Sequence, residues 1–503
     1  MNRLAARTWI SLATATLALA GCMLGPNFDP PKVDEPKGWK GLDPAVTDTA
    51  TTSKPVAGEP DVAQWWSSFN DTTLTTLIER ADADNQTLAS AEARIRAARA
   101  RRAIAIGGLY PVVDAFGGAA HSPNFASTTV PYSPGTDLFA AGFDASWELD
   151  IFGRIRRRIE VTEAELNAAI YDMRDVRVTL AAEVASNYAQ LRTAQAQLVI
   201  LRNNLATQED ALKLTTRLYE AGIVGLLDVS NARAQVESTR SRVPIFESSV
   251  REAIYTLDVL IGKDPRTLLA ELEPSGPMLM APQRIPVGLP SQLLKRRPDI
   301  RRAEAQLHAA TARIGIAIAD QFPTVSLTGA LGTQSTNASN IVSLATTYWS
   351  VGANATWTIF DGGKLQANVL LQKALTEAAI ADYRQQVLVA FRDVEVALVN
   401  FSQEQSRRDA LRHSVDAFNE AVGLATELYT AGRTDFLNVL AAQRSLLDTQ
   451  EALAQSERAI ADDLIALYKA LGGGWGTDPS DSPADEPAPA PTQTPAVQTA
   501  SAR

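Results

Sequence analysis

From Arg154 to Ser241 the chain carries a pattern that few folds can use. The stretch runs to Tyr219-Glu220-Ala221-Gly222 without a proline or an internal glycine, and apolar residues recur at a seven-residue step: Val184, Leu191, Leu198, Leu205, Leu212 and Tyr219. Leu180, Ala194 and Leu201 add a second row. A seven-residue apolar step predicts a helix with a coiled-coil seam. At 1.5 Å per residue that helix is roughly 100 Å long, well beyond a globular helix. Gly222 suits the position just past a helix end, and a returning helix is expected from about Leu226. Periodicity alone also fits an ordinary coiled-coil stalk.

The same hairpin occurs twice. A second copy runs from Lys364 to Leu471, with a seam of Val394, Phe401, Arg408, Val415, Val422 and Tyr429. Leu218-Tyr219-Glu220-Ala221-Gly222 answers Leu428-Tyr429-Thr430-Ala431-Gly432, Tyr110-Pro111 answers Phe322-Pro323, and Trp147 answers Trp357. The offset of about 210 residues marks duplication of a large unit rather than a short-period solenoid. Each unit reads as helix, two strands, very long helix, turn and returning helix. The fold class expected is mainly α with a small β portion. The expected boundaries are a signal peptide at 1–21, a tether at 22–63, a first repeat at 64–262, a linker at 263–290, a second repeat at 291–471 and a disordered tail at 472–503. Within the first repeat a single helix is expected from Asn70-Asp71 to about Ile106, closed by Gly107-Gly108.

The strand segments alternate with period two. In the stretch 138–149, Phe139, Ala141, Phe143, Ala145, Trp147 and Leu149 share one face, with Asp144, Ser146 and Glu148 on the other. Its partner is about 112–121, where alternation is weaker, and the second repeat offers strands at about 324–333 and 348–360. Ten-residue strands, apolar on one face and polar or small on the other, with aromatics near their ends, fit a membrane β-barrel, and they also fit a small soluble sheet with one buried face. A lipid-exposed sheet must close, because an open edge leaves backbone groups unpaired in hydrocarbon. Bacterial barrels need at least about eight strands and this chain supplies four. If these strands span a membrane, several chains share one barrel.

Composition narrows the partners. A net charge of −10 argues against nucleic acid. A single cysteine provides no disulfide or zinc framework. His121, His308 and His413 are scattered without metal spacing, so no metal, cofactor or catalytic site is expected and the chain does not read as an enzyme. The lone Cys22 closes Leu19-Ala20-Gly21-Cys22, after two arginines and a short apolar run. That is a signal peptide, too short to span a membrane, and its end resembles the bacterial lipoprotein lipobox. The resemblance implies lipid attachment at Cys22 and, with Met23 rather than aspartate next, sorting to the outer membrane. Arg154, Arg156, Arg157 and Arg158 read first as a solvated helix face and second as contacts to anionic head groups or neighbouring subunits.

Taken together, Trp65-Trp66 with Phe69-Asn70-Asp71, Trp147-Glu148-Leu149-Asp150-Ile151-Phe152-Gly153-Arg154, the stretch Leu294 to Ile300, Phe322-Pro323, Ile359-Phe360-Asp361-Gly362-Gly363 and the two Tyr-x-Ala-Gly turns resemble the TolC family of outer-membrane efflux ducts, in its lipoprotein branch of OprM-like and NodT-like proteins. The resemblance covers about residues 60–471. It implies a homotrimer with a twelve-stranded barrel in the outer membrane and a helical tunnel across the periplasm. It implies hairpin tips that meet a periplasmic adaptor (a membrane fusion protein), an inner-membrane RND pump that supplies the energy, and small toxic compounds as cargo. A duct for type I protein secretion and a poreless periplasmic coiled-coil lipoprotein are the competing readings. By position the resemblance places a narrowing leucine at Leu437 and a gate-locking charge at Arg444. It finds Ala441 where a carboxylate is usual, which leaves Asp435 as the substitute acid. Gly222, Leu226, Gly432 and Arg433 are the expected adaptor-facing tip residues.

Overall fold

The computed structural model describes residues 23–34, 36, 38–40, 53–56, 63–122 and 136–475. The expected signal peptide, Cys22 and most of the expected tail lie outside the described residues. In order the elements are β1 (Lys54–Val56), α1 (Thr72–Asp84), α2 (Gln86–Gly107), β2 (Val112–Ser122), β3 (Thr136–Leu149), α3 (Arg154–Glu220), α4 (Leu226–Leu260), α5 (Leu269–Leu272), β4 (Arg284–Pro286), α6 (Pro290–Arg296), α7 (Pro298–Ala319), β5 (Thr324–Ser335), β6 (Thr347–Thr356), α8 (Lys364–Thr430) and α9 (Phe436–Ala470).

The two long helices each hold 67 residues. Toward the sheet the helices lie side by side in the order α2–α3–α7–α8; toward the hairpin turns the order is α4–α3–α9–α8. The chain is thus a wall four helices wide at both ends. Between them sits the main core, where Trp65, Leu74, Leu77, Tyr188, Leu191, Leu257, Phe401 and Leu464 are all fully buried. Trp65 stacks on Tyr468 at 5.4 Å between ring centres.

The apolar row of α3 does not run straight. Val184 and Leu191 are fully buried, but beyond them the buried seven-step row is Ala194, Leu201, Gln208 and Thr215, while Leu198, Leu205 and Leu212 are only half-buried. A helix in a wall has a neighbour on each flank, here α4 and α9, so its buried surface is wider than a two-stranded seam. The single first helix expected to Ile106 is two helices. Asn85 breaks it and caps α2, accepting from the amides of Thr87 (2.8 Å) and Leu88 (3.0 Å) and donating to the carbonyl of Leu260 (2.8 Å).

The four long strands form one antiparallel sheet in the order β2-β3-β5-β6, leaving β2 and β6 as open edges. Register sets the faces. Ala115, Phe143, Leu331 and Trp349 form one row across the sheet, and Trp147 pairs with Leu327 on the same face. The opposite face carries Asp114, Asp144, Ala330 and Ser350 in one row and Glu148, Ser326 and Asn354 in another. The last strand is shorter than alternation predicts. It ends at Thr356, and the indole of Trp357 turns away to donate to the carbonyl of Gln321 (3.0 Å). Trp147 makes the matching bond to Leu109 (2.9 Å) in the first repeat, so each repeat pins its strand end to the preceding helix-strand turn.

The tether is docked where it is described. Arg157 is fully buried, not solvated. Its guanidinium donates to the carbonyls of Leu24 (2.9 Å) and Gly25 (3.1 Å), to Asn27 Oδ1 (3.0 Å) and to Glu160 (2.7 Å). A buried charge is tolerable when it is paired and its donors are used. Gly25 crosses Gly315 so closely that a Cβ on Gly25 would stand 2.4 Å from the Gly315 Cα. His308 stacks on Phe28 at 4.5 Å and reaches Glu160 at 3.0 Å. Further on, β1 pairs in parallel with β4, so the tether is stitched to the segment 263–290.

Candidate functional site

The two hairpin turns are built alike. At the first, the Gly222 amide donates to the carbonyl of Tyr219 (2.9 Å) and that of Ile223 to Leu218 (2.9 Å); at the second, Gly432 donates to Tyr429 (2.9 Å) and Arg433 to Leu428 (2.8 Å). This paired bonding closes a helix through a left-handed residue, and Gly222 (φ 74°) and Gly432 (φ 67°) supply it. Among the described residues, neither glycine faces anything within 4 Å of where a Cβ would stand, so backbone conformation selects glycine at both positions.

The side chains then diverge. Leu226 opens α4 and is 59% exposed, with Ile223 and Leu227 more exposed still. Phe436, its counterpart, opens α9 and is buried. Phe436 packs with Tyr429, Val439, Leu440 and Ala232, and its ring centre lies 5.1 Å from that of Tyr429. Tyr429 donates its hydroxyl to Asp228 of the first tip (3.3 Å). Burial, then the neighbouring Asp228 charge, push the Tyr429 phenol up to about 12. This cluster joins the two tips of the chain. The sign of it in the sequence is a mismatch, Asp228 in one turn against Asn438 in the other, which helical periodicity does not register.

The remaining sequence-derived residues fall as follows. Leu437 is 59% exposed, next to the buried Phe436. Asp435 holds the N-cap position of α9 without a side-chain capping bond, and it is exposed. Ala441 is exposed one turn beyond Leu437. Arg444 donates through Nε to Gln235 Oε1 of the first hairpin (2.6 Å), and Arg433 is exposed at the turn. Of the three, Arg444 is tied to the other hairpin, whereas Leu437 and Asp435 are exposed. Arg242 to Glu451 and Asn204 to Gln450 continue the ties between hairpins above Arg444.

Comparison with known proteins gives one answer at every level. The model of the outer membrane efflux protein family matches residues 77–263 and 289–473, one segment per repeat. The pyoverdine export outer membrane protein OpmQ of Pseudomonas aeruginosa is 33% identical over 475 residues, 93% of this chain and 97% of the relative. Nodulation protein T of Rhizobium leguminosarum bv. trifolii is 30% identical, covering 92% and 96%. Among solved structures, the outer-membrane channel OprN superposes with a TM-score of 0.83 at 36% identity, covering 90% of this chain and all of that one. CusC superposes with a TM-score of 0.80 at 28% identity, again over 90% and all of the two chains. With the family's model matched in both repeats and solved channels superposing over nine-tenths of its length, the chain belongs to the outer membrane efflux protein family.

Proposed function

We propose that the chain is one third of a passive duct that carries small toxic compounds out of the cell, docked at its tips to a periplasmic adaptor and through it to an inner-membrane RND pump. The supporting observation is the sheet. It has one apolar and one polar face and two open edges, and four strands are too few to close in a bilayer. Pairing β2 of one protomer with β6 of the next closes a barrel of about twelve strands in a trimer. The same operation sets α2 beside the next protomer's α8 and extends the helical wall into a tunnel. Cys22 carries the lipid, and the docked residues 23–28 hold that anchor near the strand-helix junction, where Gly153 crowds Met23. No step of chemistry is assigned to the chain.

At the closed end, Leu437 narrows the pore, with Asp435 as the acidic group and Arg444 as a lock between hairpins. Leu437 supports this reading because it is 59% exposed in the single chain and so available to face its copies. Leu437→Ala is expected to raise the single-channel conductance of the closed duct severalfold in a planar bilayer. Conductance equal to wild type removes Leu437 from the gate. The partner is read by Leu226→Cys, which introduces a reactive thiol at the first tip. Cross-linking in cells followed by mass spectrometry is expected to capture an adaptor of a proton-driven pump. Capture of an adaptor from an ATP-driven secretion system instead assigns the duct to protein export.

A further inference from the structure

Between α2 and α3, just beneath the sheet, lies a cleft of about 390 Å³ lined by Arg101, Ile104, Glu148, Arg154, Arg158 and Thr162, among others. That volume falls within the range of small-molecule sites, roughly 300–1,000 Å³. Its charges are unbalanced. Arg154 grips the Glu148 carboxylate through Nε (3.1 Å) and Nη2 (2.6 Å). Nearby, Asp150 is taken by Arg156, Glu160 by Arg157 and Glu163 by Arg102. Arg101 and Arg158 are both exposed and have no carboxylate in ion-pair distance among the described residues. Two like charges face one cleft with nothing to neutralise them.

The side on which the cleft opens follows from register. Glu148 lies in the row of Ser326 and Asn354, on the polar face of the sheet. A barrel in lipid turns its apolar face outward, so Glu148 and the cleft beneath it face the lumen. Helix geometry agrees: Arg154, Arg158 and Thr162 are spaced four apart on one face of α3, whereas Arg157, which holds the lipid-bearing tether, and its partner Glu160 lie on another. The cleft also has an apolar flank. Ile104 is 77% exposed and Ile155 closes the floor.

We propose that this cleft is a transit site for organic anions, in which Arg101 and Arg158 take a sulfonate, carboxylate or phosphate group and Ile104 covers the adjoining apolar part. Guanidinium groups bind planar or tetrahedral oxyanions by paired N–H donors, and such charge-assisted bonds are stronger than neutral ones. The duct, acidic as a whole, thereby carries a cationic collar of repeated clefts where the tunnel enters the barrel. This assignment rests on the trimeric duct for the word lumen, but each cleft lies within one protomer.

The test uses the full-length, lipidated protein in mild detergent. Binding of 1-naphthalenesulfonate, 1-naphthylmethylammonium and inorganic phosphate is measured by isothermal titration, and native mass spectrometry of the same sample counts the protomers. The sulfonate is expected to bind more tightly than the ammonium. Its Kd should rise about tenfold or more in R101Q/R158Q, return toward wild type in R101K/R158K, and stay unchanged in the remote Arg251→Gln control. Equal affinity for sulfonate and ammonium, no binding of the sulfonate at all, or an unchanged Kd in the double glutamine variant overturns the site. Inorganic phosphate that binds as tightly as the sulfonate overturns the organic part of the assignment. A trimer without charge preference removes the anion site alone, whereas a monomer that still binds the sulfonate removes the duct and keeps the cleft.

Discussion

The two hairpin tips share a backbone and differ in almost everything attached to it. Both end on a left-handed glycine with the same pair of closing hydrogen bonds. The first then presents Ile223, Leu226 and Leu227 to solvent, while the second presents Arg433, Asp435 and Leu437 and turns its aromatic pair, Tyr429 and Phe436, inward against the first. Tyr219, the counterpart of Tyr429, is 42% exposed against 6%. Duplication supplied one turn twice, and divergence left one copy with exposed apolar side chains and made the other a cover packed on its neighbour. The lesson is that backbone motifs in a repeat report how the chain turns, and only the side chains beside them report what the turn does.

The sharpest way to break the comparison is to truncate equivalent residues. Phe436→Ala removes a buried ring from a small cluster and is expected to cost about 3–5 kcal/mol locally. Leu226→Ala removes an exposed side chain and is expected to stay within about 0.5 kcal/mol. Hydrogen exchange of the tip amides reads both, and equal protection in the two variants would abolish the distinction. A smaller effect is expected from exchanging surface character. Ile223→Arg makes the first tip resemble the second and should weaken adaptor capture about tenfold, the worth of one buried aliphatic side chain. Arg433→Ile at the second tip should change capture less. If the two substitutions act alike, the tips are equivalent docking surfaces and the apolar exposure of the first carries no special meaning.

Much of this architecture is legible in the sequence, because it is written in long periods. A 67-residue helix, its duplicate and period-two strands are each redundant signals, and one misplaced residue does not erase them. What escapes is set by single contacts. Asn85 breaks the first helix because its side chain can serve the amides of Thr87 and Leu88 at once, and nothing in the apolar pattern marks it. Arg157 looks in sequence like its neighbours Arg156 and Arg158, yet it is buried because a segment more than a hundred residues earlier folds over it. The apolar row of α3 shifts where α9 arrives on its flank, a neighbour supplied by the other repeat. The gate and docking roles proposed above depend on contacts between chains, and the periodicity of one chain carries no information about those.

The finest test of the asymmetry is Asp228→Asn, which gives the first tip the residue that the second has at Asn438. The Asn carbonyl can still accept from Tyr429, so the loss is one charge rather than one hydrogen bond, about 0.5–1 kcal/mol. The proton on Tyr429 should be affected more clearly. Its phenol is pushed up to about 12 by burial and by the Asp228 carboxylate. A phenol raised in the folded state keeps its proton where the unfolded chain, near 10, has lost it. The stability it contributes is therefore complete below about pH 10 and is lost as pH rises toward 12. Without the Asp228 charge that window should narrow from its upper end, seen as earlier tyrosinate absorbance at 295 nm in the difference between each protein and its Tyr429→Phe partner. An unchanged alkaline midpoint in Asp228→Asn would mean that burial alone holds the proton. The tie between the tips would then be apolar, resting on Phe436 and Val439 rather than on the one charge that distinguishes the two turns.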